Sequence, residues 1–345
     1  MYVPNHTHPS LYVMSDLLTP RQPDPNNSPD YQTVTSSITR YRLENGRTYH
    51  AYQDGSYMFP NDLYECDRLD WQYYCIKHLM GGELHFAPFS QNDPPRKVLD
   101  IGTGTGIWAV DMGDEYPTAR IIGTDLTPIQ PDYVPPNVIF EIDDCLQEWR
   151  FRELFDFVHL RCMLGSIRDF KDDIAVKAFD HLEPGGWLEA QELHCSIQCD
   201  DNTMPPDFPP KVHFDDLEDA TASEQRPLRI AHTYAQGMRD AGFVDVVERT
   251  YKIPINSWPI NRKYKELGKM WEENFAQGIS AFSMAPLHRI RGLNRKQIEI
   301  MLIDVRKGLS DQSVHAYQKF YVVWGRKPYP GEVPEPRGEA EMTDI

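Results

Sequence analysis

The sequence has no CxxC pair, no dense run of basic residues, no internal repeat and no apolar stretch long enough to span a bilayer. Each absence removes a class of protein. Six scattered cysteines (Cys66, Cys75, Cys145, Cys162, Cys195, Cys199) without paired spacing argue for a reducing compartment and against a disulfide framework. His194, Cys195 and Cys199 lie close together, but their spacing matches no common zinc pattern, so no metal is expected. A membrane-spanning helix needs roughly 20 apolar residues, and none occurs. The first residues lack a charged start followed by an apolar run, so no signal peptide is expected. Without self-similarity at a fixed period, a solenoid is excluded. Lys and Arg number 35 against 52 Asp and Glu, giving a net charge of −17. That balance opposes non-specific binding to DNA, RNA or anionic lipid, because like charges repel.

What is present is ordinary globular material: 345 residues, 40% hydrophobic and 25% charged, enough for a sizeable core. Residues 1–40 are rich in Pro, Asn, Ser, Thr and Asp, and are expected to form a disordered arm. Residues 328–345 read as an acidic, Pro-rich, disordered tail. Residues 41–96 read as an N-terminal segment covering a ligand site. Within it, Asp62 and Glu65 fit a capping box for a helix near 63–80. Leu69, Tyr73, Ile76 and Met80 then recur at helical spacing, as for a helix packed on the core.

From Lys97 the pattern alternates. KVLDIG, ARIIGTDL, NVIFEID, LFDFVHLRC, GWLEAQEL and FVDVVERTYKI read as strands, and HAYQKFYVVWGRK as the last. GIWAVDMGDEY, DDIAVKAFDHL and RIAHTYAQGMRDAGF read as helices between them. Residues 259–312 form a helix-rich insertion carrying Trp258, Trp271, Phe275, Phe282 and Met284. Those side chains either line a substrate pocket or form the insertion's own core. Such a βαβα succession predicts a domain over 97–327 with a mostly parallel sheet covered by helices on both faces.

One loop carries the chemistry. Asp100-Ile101-Gly102-Thr103-Gly104-Thr105-Gly106 follows a strand and opens a helix, the place where open α/β sheets bind ligands. Glycines let the backbone turn tightly and approach a ligand, and the helix N-terminus favours a negative group. The dinucleotide fingerprint GxGxxG or GxGxxA would need Gly or Ala at 107, where Ile107 stands. The third glycine falls at 106 instead, in the DxGxGxG spacing of S-adenosylmethionine (SAM) enzymes. Asp100 is placed for the ligand's ammonium. Asp125, 19 residues after Gly106, ends the second strand and can accept from both ribose hydroxyls, with Leu126 beside it. Asp144, or its neighbour Asp143, is placed for the adenine amino group and the Cys145 N–H for a ring nitrogen. The alternative is a pair of solvated turn aspartates.

Methyl transfer from a sulfonium is an in-line displacement in which positioning dominates, so no fixed catalytic signature is required. A hydroxyl acceptor benefits from a general base. Acceptor-side candidates follow the fourth and fifth strands: His159, Arg161, Glu189, Glu192 and His194. Of these, Arg161, Glu192 and His159 are taken as the catalytic candidates, with a structural role as the competing reading for His159. Tyr57, with Tyr52, precedes the first long helix and is expected to cover the cofactor.

The motifs ENGRTYH (44–50), DRLD (67–70), GTGIWA (104–109), DLTPIQP (125–131), PGGW (184–187), CDD (199–201), RPLRIAH (226–232), AGF (241–243), MAPLHR (284–289) and HAY (315–317) occur in that order. In their sequence and order they resemble the fungal LaeA-like methyltransferases over roughly residues 44–328. The resemblance implies an α/β, Rossmann-like class I methyltransferase fold: a mostly parallel seven-stranded sheet with an antiparallel last strand and a helical insertion. It implies SAM bound through residues 100–106 and Asp125, and a role in fungal secondary-metabolite regulation and development. A nuclear location and velvet-family protein partners follow from the same resemblance. The sequence departs from the family in two places. The arm before Glu44 carries no basic cluster, which weakens the case for nuclear import and leaves a cytoplasmic location open. Thr103 stands where LaeA-like loops often carry Cys. A dedicated metabolite methyltransferase and a SAM-binding scaffold without catalysis are the rival functions.

Overall fold

The computed structural model describes residues 41–50, 52, 57–332 and 341–342. The arm expected over 1–40 lies outside them. A short hairpin comes first, β1 (Arg42–Glu44) and β2 (Arg47–Tyr49), turning through Asn45 and Gly46, both at positive φ. Its Glu44 carboxylate takes the Arg289 guanidinium at 2.8 Å. Helix α1 (Leu63–Leu79) starts where the Asp62 side chain accepts the Glu65 N–H at 3.1 Å. The capping box expected there is not completed. Glu65 turns instead to Arg68, whose Nε and Nη2 reach it at 2.9 and 2.6 Å. A buried guanidinium competes better for the carboxylate than a terminal backbone N–H does. Tyr73, Ile76 and Met80 of the predicted stripe are buried.

The sheet follows the sequence pattern closely. Strands β3 (Lys97–Ile101), β4 (Arg120–Asp125), β5 (Val138–Ile142), β6 (Phe155–Arg161), β7 (Leu182–Cys199) and β8 (Val244–Pro254) precede β9 (Ala316–Arg326). Their spatial order is β8-β9-β7-β6-β3-β4-β5. Pairs among β3 to β7 are parallel, while β9 runs antiparallel to both β7 and β8. This is the class I methyltransferase arrangement expected above. Strand order reverses between β3 and β6, so their carboxyl ends open a crevice there. Central strands read as continuous apolar runs because helices cover both faces: Val98, Leu99, Ile121, Val158 and Leu188 are fully buried.

Helix α2 (Ile107–Glu115) covers β4, and α3 (Val176–His181), preceded by a widened π-type turn at Lys171–Ala175, covers the other face. Helix α4 (Pro209–Ser223), not expected from the residue pattern, begins with prolines that the first helical turn tolerates. Helix α5 (Tyr234–Asp240) follows. The insertion contains α6 (Arg262–Arg289) and α7 (Arg295–Leu309), the latter closed by an Asn294–Gln297 capping box. Of the predicted tail, residues 328–332 and 341–342 are among those described. Glu332 binds Arg326 at 2.6 and 2.9 Å, and β10 (Glu341–Met342) extends the sheet beside β8. A doubly bonded Arg326 supplies what the Pro-rich composition did not suggest.

Helix α6 lies tightly on the chain leaving β8. A Cβ at Gly268 would sit 1.9 Å from the Asn256 carbonyl oxygen, so neither partner can yield cheaply. Gly268→Ala is expected to lower stability by about 1–3 kcal/mol, read as a lower urea midpoint at unchanged slope.

Candidate active site

The crevice is built from three strand ends. On β3, Asp100 is buried and held twice: the Thr103 hydroxyl donates to it at 2.5 Å and His159 Nδ1 at 2.8 Å. His159 is brought there by register, since Asp100 and His159 face each other across β3 and β6. Its ring stacks on Trp108 at 3.6 Å, and burial lowers its pKa, so it is a neutral donor. His159 Nε2 is buried with no partner among the described residues. The Nδ1 bond therefore orients Asp100, while Nε2 keeps its lone pair.

The glycine turn then crosses to β4. Gly102, Gly104 and Gly106 all adopt positive φ, which explains glycine at each. The Gly104 N–H donates to Asp125 at 2.9 Å, and Thr127 N–H donates to the same carboxylate at 3.0 Å. Burial raises the pKa of Asp125 to about 6 despite these bonds. Thr105 donates at 2.5 Å to Asp70 on α1, and Gln130 reaches the Gly104 carbonyl at 2.6 Å. The loop is thus clamped from three sides.

A cavity with about 1260 Å³ of atom-free space, counted to its mouth, opens between these elements. Asp100, Gly102, Thr103, Gly104, Asp125, Leu126, Asp144, Cys145 and Tyr57 all line it, as do His159 and Arg161. A Cβ at Gly104 would project into open space, with only Leu69 at 3.9 Å, so the turn leaves room for a ligand against its backbone. Asp125 stands within hydrogen-bond reach of the turn, and the space between is not filled by side chains. The residues present therefore fit SAM: an anion-favouring turn, a half-buried acid for two hydroxyls, and Asp143 and Asp144 at the end of β5.

Two sequence expectations need correction, and one alternative falls. Gly106 does not line the cavity; a Cβ there would meet the Phe140 ring at 2.4 Å, so it serves the helix start and close packing. Glu192 is not a catalytic candidate in this geometry. It lies outside the cavity, accepting Met163 N–H at 2.7 Å, Leu193 N–H at 2.9 Å and the Tyr234 hydroxyl at 3.2 Å. Burial pushes its pKa up to about 8. Its work is local: it secures the sharp turn after β6, where Cys162 adopts φ +54° and Met163 is placed against Gly102. Asp143 and Asp144 are not solvated turn residues. Asp144 is buried, holding Leu146 N–H at 3.0 Å and Gln147 Nε2 at 3.1 Å.

Other candidates separate cleanly. Arg161 faces the cavity and is fixed by Gln191 at 2.7 Å and by the Tyr73 ring, 5.3 Å away. Its Nη1 has no partner among the described residues. Glu189 is fully buried and caps the Phe86 and Ala87 N–H groups at 2.8 and 2.7 Å. His194 and Tyr52 do not line the cavity. Sequence reasoning missed Leu69, Gln72, Tyr73, Thr105 and Trp108, all of which do. Leu69 and Tyr73 were read as core stripe; α1 spacing alone cannot separate a core face from a pocket wall.

A second space adjoins the first, sharing Tyr57, Leu69, Gln72 and Cys162 with it. Trp271, Phe275 and Phe282 of the insertion line it, so those aromatics form a pocket wall in addition to packing. Trp258 instead stacks on His315, and Met284 is core.

Two outcomes follow. Asp125 must be ionised to accept from two hydroxyls, so SAM affinity should fall as pH drops through about 6. Asp125→Asn should weaken it about tenfold to hundredfold and flatten that dependence, both read by calorimetry. The stability linkage runs the other way. A folded pKa above the unfolded one means the ligand-free fold gains from this group as pH falls from about 6 towards 4. Glu192→Ala strands the Met163 N–H and the Tyr234 hydroxyl, and should cost about 2 kcal/mol or more, seen as a lower denaturation midpoint.

Comparison with known proteins agrees with this geometry. A family model described as a methyltransferase domain matches residues 74–248. A protein named Methyltransferase pytC, from Aspergillus terreus, is 39% identical over 86% of this chain and 91% of its own length. Secondary metabolism regulator LAE1 of Cochliobolus heterostrophus is 35% identical over 83% of this chain and 94% of its own. Protein-methionine methyltransferase laeA of Emericella nidulans is 32% identical, covering 89% of this chain and 82% of that one. The chain is a LaeA-like member of the SAM-dependent methyltransferase family.

Proposed function

We propose that this chain transfers the methyl group of SAM to an acceptor held in the second, aromatic-walled space, and that it does so in the control of secondary metabolism. The observation that carries the first half is that the two spaces adjoin, with Tyr57, Leu69, Gln72 and Cys162 lining both. When bound, SAM supplies a sulfonium methyl as the electrophile. The protein's own contribution is positional. The Gly102–Gly106 turn and Asp125 fix the donor side, and Asp100, pinned by His159 and Thr103, keeps its charge aimed into the crevice. No carboxylate or imidazole lines both spaces among the described residues. Alignment and exclusion of water, not proton abstraction, are therefore the effects that this arrangement supports.

The second half of the proposal draws on the names LAE1 and laeA, both given as secondary metabolism regulators. It places the protein in the nucleus, in transcriptional regulation, with velvet-family proteins as partners. The enclosed aromatic space and the pytC relationship favour a second reading, a dedicated metabolite methyltransferase.

Incubating the protein and methyl-labelled SAM with a fungal extract separates these readings. Label in the protein fraction is expected for a regulator that modifies proteins, and label in a small-molecule product for a tailoring enzyme. Absence of SAM binding at millimolar concentration in calorimetry would sink both.

A further inference from the structure

The second space is shaped by α1 and the residues just before it, the chain after β6, β7, α4, α6 and β9. It holds about 670 Å³ of atom-free space counted to its mouth, and its walls are mostly Phe59, Phe214, Phe275, Phe282, Trp271 and Leu217. Its charge is already cancelled. Arg68, buried in the wall, gives two donors to Glu65, one to Gln72 at 2.7 Å and one to Asn274 at 3.0 Å, and lies over the Phe282 ring at 4.8 Å. A charged acceptor would be desolvated here without a counter-ion, at a cost of several kcal/mol.

Besides Gln72, two amides break the apolar wall. Asn274 and Gln318 are 1% and 3% exposed and both line the space. Their orientation is fixed by partners that can only donate. Arg68 Nη1 donates to Asn274 Oδ1, and the Trp271 indole donates to Gln318 Oε1 at 3.1 Å. The amide nitrogens must therefore point elsewhere. No hydrogen bond from either nitrogen to a described residue accompanies these. Neither nitrogen is among the fully enclosed polar atoms left without a partner, so each borders the space itself, and a pair of donors on one apolar cavity is what a ligand's acceptors can complete.

Resting on the methyl-transfer reading, we infer that the acceptor is an uncharged, ring-bearing small molecule with hydrogen-bond-accepting oxygens, carbonyl or ether, which take the Asn274 and Gln318 amide N–H groups. The aromatic walls cover its rings. A methionine side chain of a protein offers no oxygen to either amide. A lysine or a carboxylate would meet no free charge.

The uncharged changes Asn274→Leu and Gln318→Met remove the amide donor without adding charge, and give up the bond accepted from Arg68 or Trp271. The probes are neutral aromatic ketones graded from acetophenone to flavone, benzoate as the charged comparison, and N-acetylmethionine amide for the peptide side chain. Binding is read by calorimetry and by quenching of Trp271 fluorescence, with Trp271→Phe as the signal control. At least one neutral ketone should bind more tightly than benzoate or the methionine amide. Each amide variant should weaken it about tenfold while SAM affinity stays unchanged. The inference is overturned if no ketone binds, if benzoate or the methionine amide is preferred, or if both variants bind the ketone as the parent does. Ketone binding without SAM binding would refute the methyl-transfer reading and leave the cavity's preference standing.

Discussion

The hydrogen bond from the Gly104 N–H to Asp125 ties the ends of β3 and β4 together, and the cofactor cavity exists because of it. A glycine turn alone could collapse onto the sheet. Here it is drawn sideways to an acid on the neighbouring strand and held from α1 by Asp70 through Thr105. The carboxylate is buried to accept those N–H groups, which raises its pKa. The same burial strengthens every bond it makes to a ligand hydroxyl. Position and electrostatics come from one arrangement.

Behind this surface is a layer of buried polar groups whose task is to hold backbone. His159 and Thr103 fix Asp100; Glu192 fixes the turn at Cys162 and Met163; Glu189 fixes the chain at Phe86 and Ala87. A non-glycine residue at φ +54° costs of order 1–3 kcal/mol, and the hydrogen bond from Met163 N–H to Glu192 helps to offset it. Such carboxylates look catalytic in a sequence because they follow the strands that carry active sites. Their burial shows that they serve the scaffold.

Much of the fold was legible because its signals are local. Period-2 and buried apolar runs marked all seven main strands, and the DxGxGxG spacing with Asp125 marked the crevice. What escaped depends on contacts between distant residues. The Glu65 side chain was assigned to a capping box because Arg68 beside it gave no sign of being buried. Leu69 and Tyr73 looked like core because a helix stripe has the same period whether it faces a core or a cavity. The Asn274 and Gln318 donors were invisible, since which end of an amide is free depends on a partner from another element, Arg68 on α1 in one case and Trp271 on α6 in the other. Helix α4 begins with prolines in a Pro-rich stretch that reads as loop.

Strand β9 lies between β7 and β8 and is hydrogen-bonded to both, yet it is made long after them. As the chain leaves the ribosome, β7 and β8 are complete while the strand that joins them is still unmade, with α6 and α7 to be synthesised first. Until residue 326 emerges, both strands carry open edges of apolar sequence, the kind of surface that templates aggregation. A stop codon or splice change that removes only the end of the message would therefore leave the glycine turn intact and the protein without its central seam. Such truncations should present as failures of abundance, not as folded enzymes with altered chemistry.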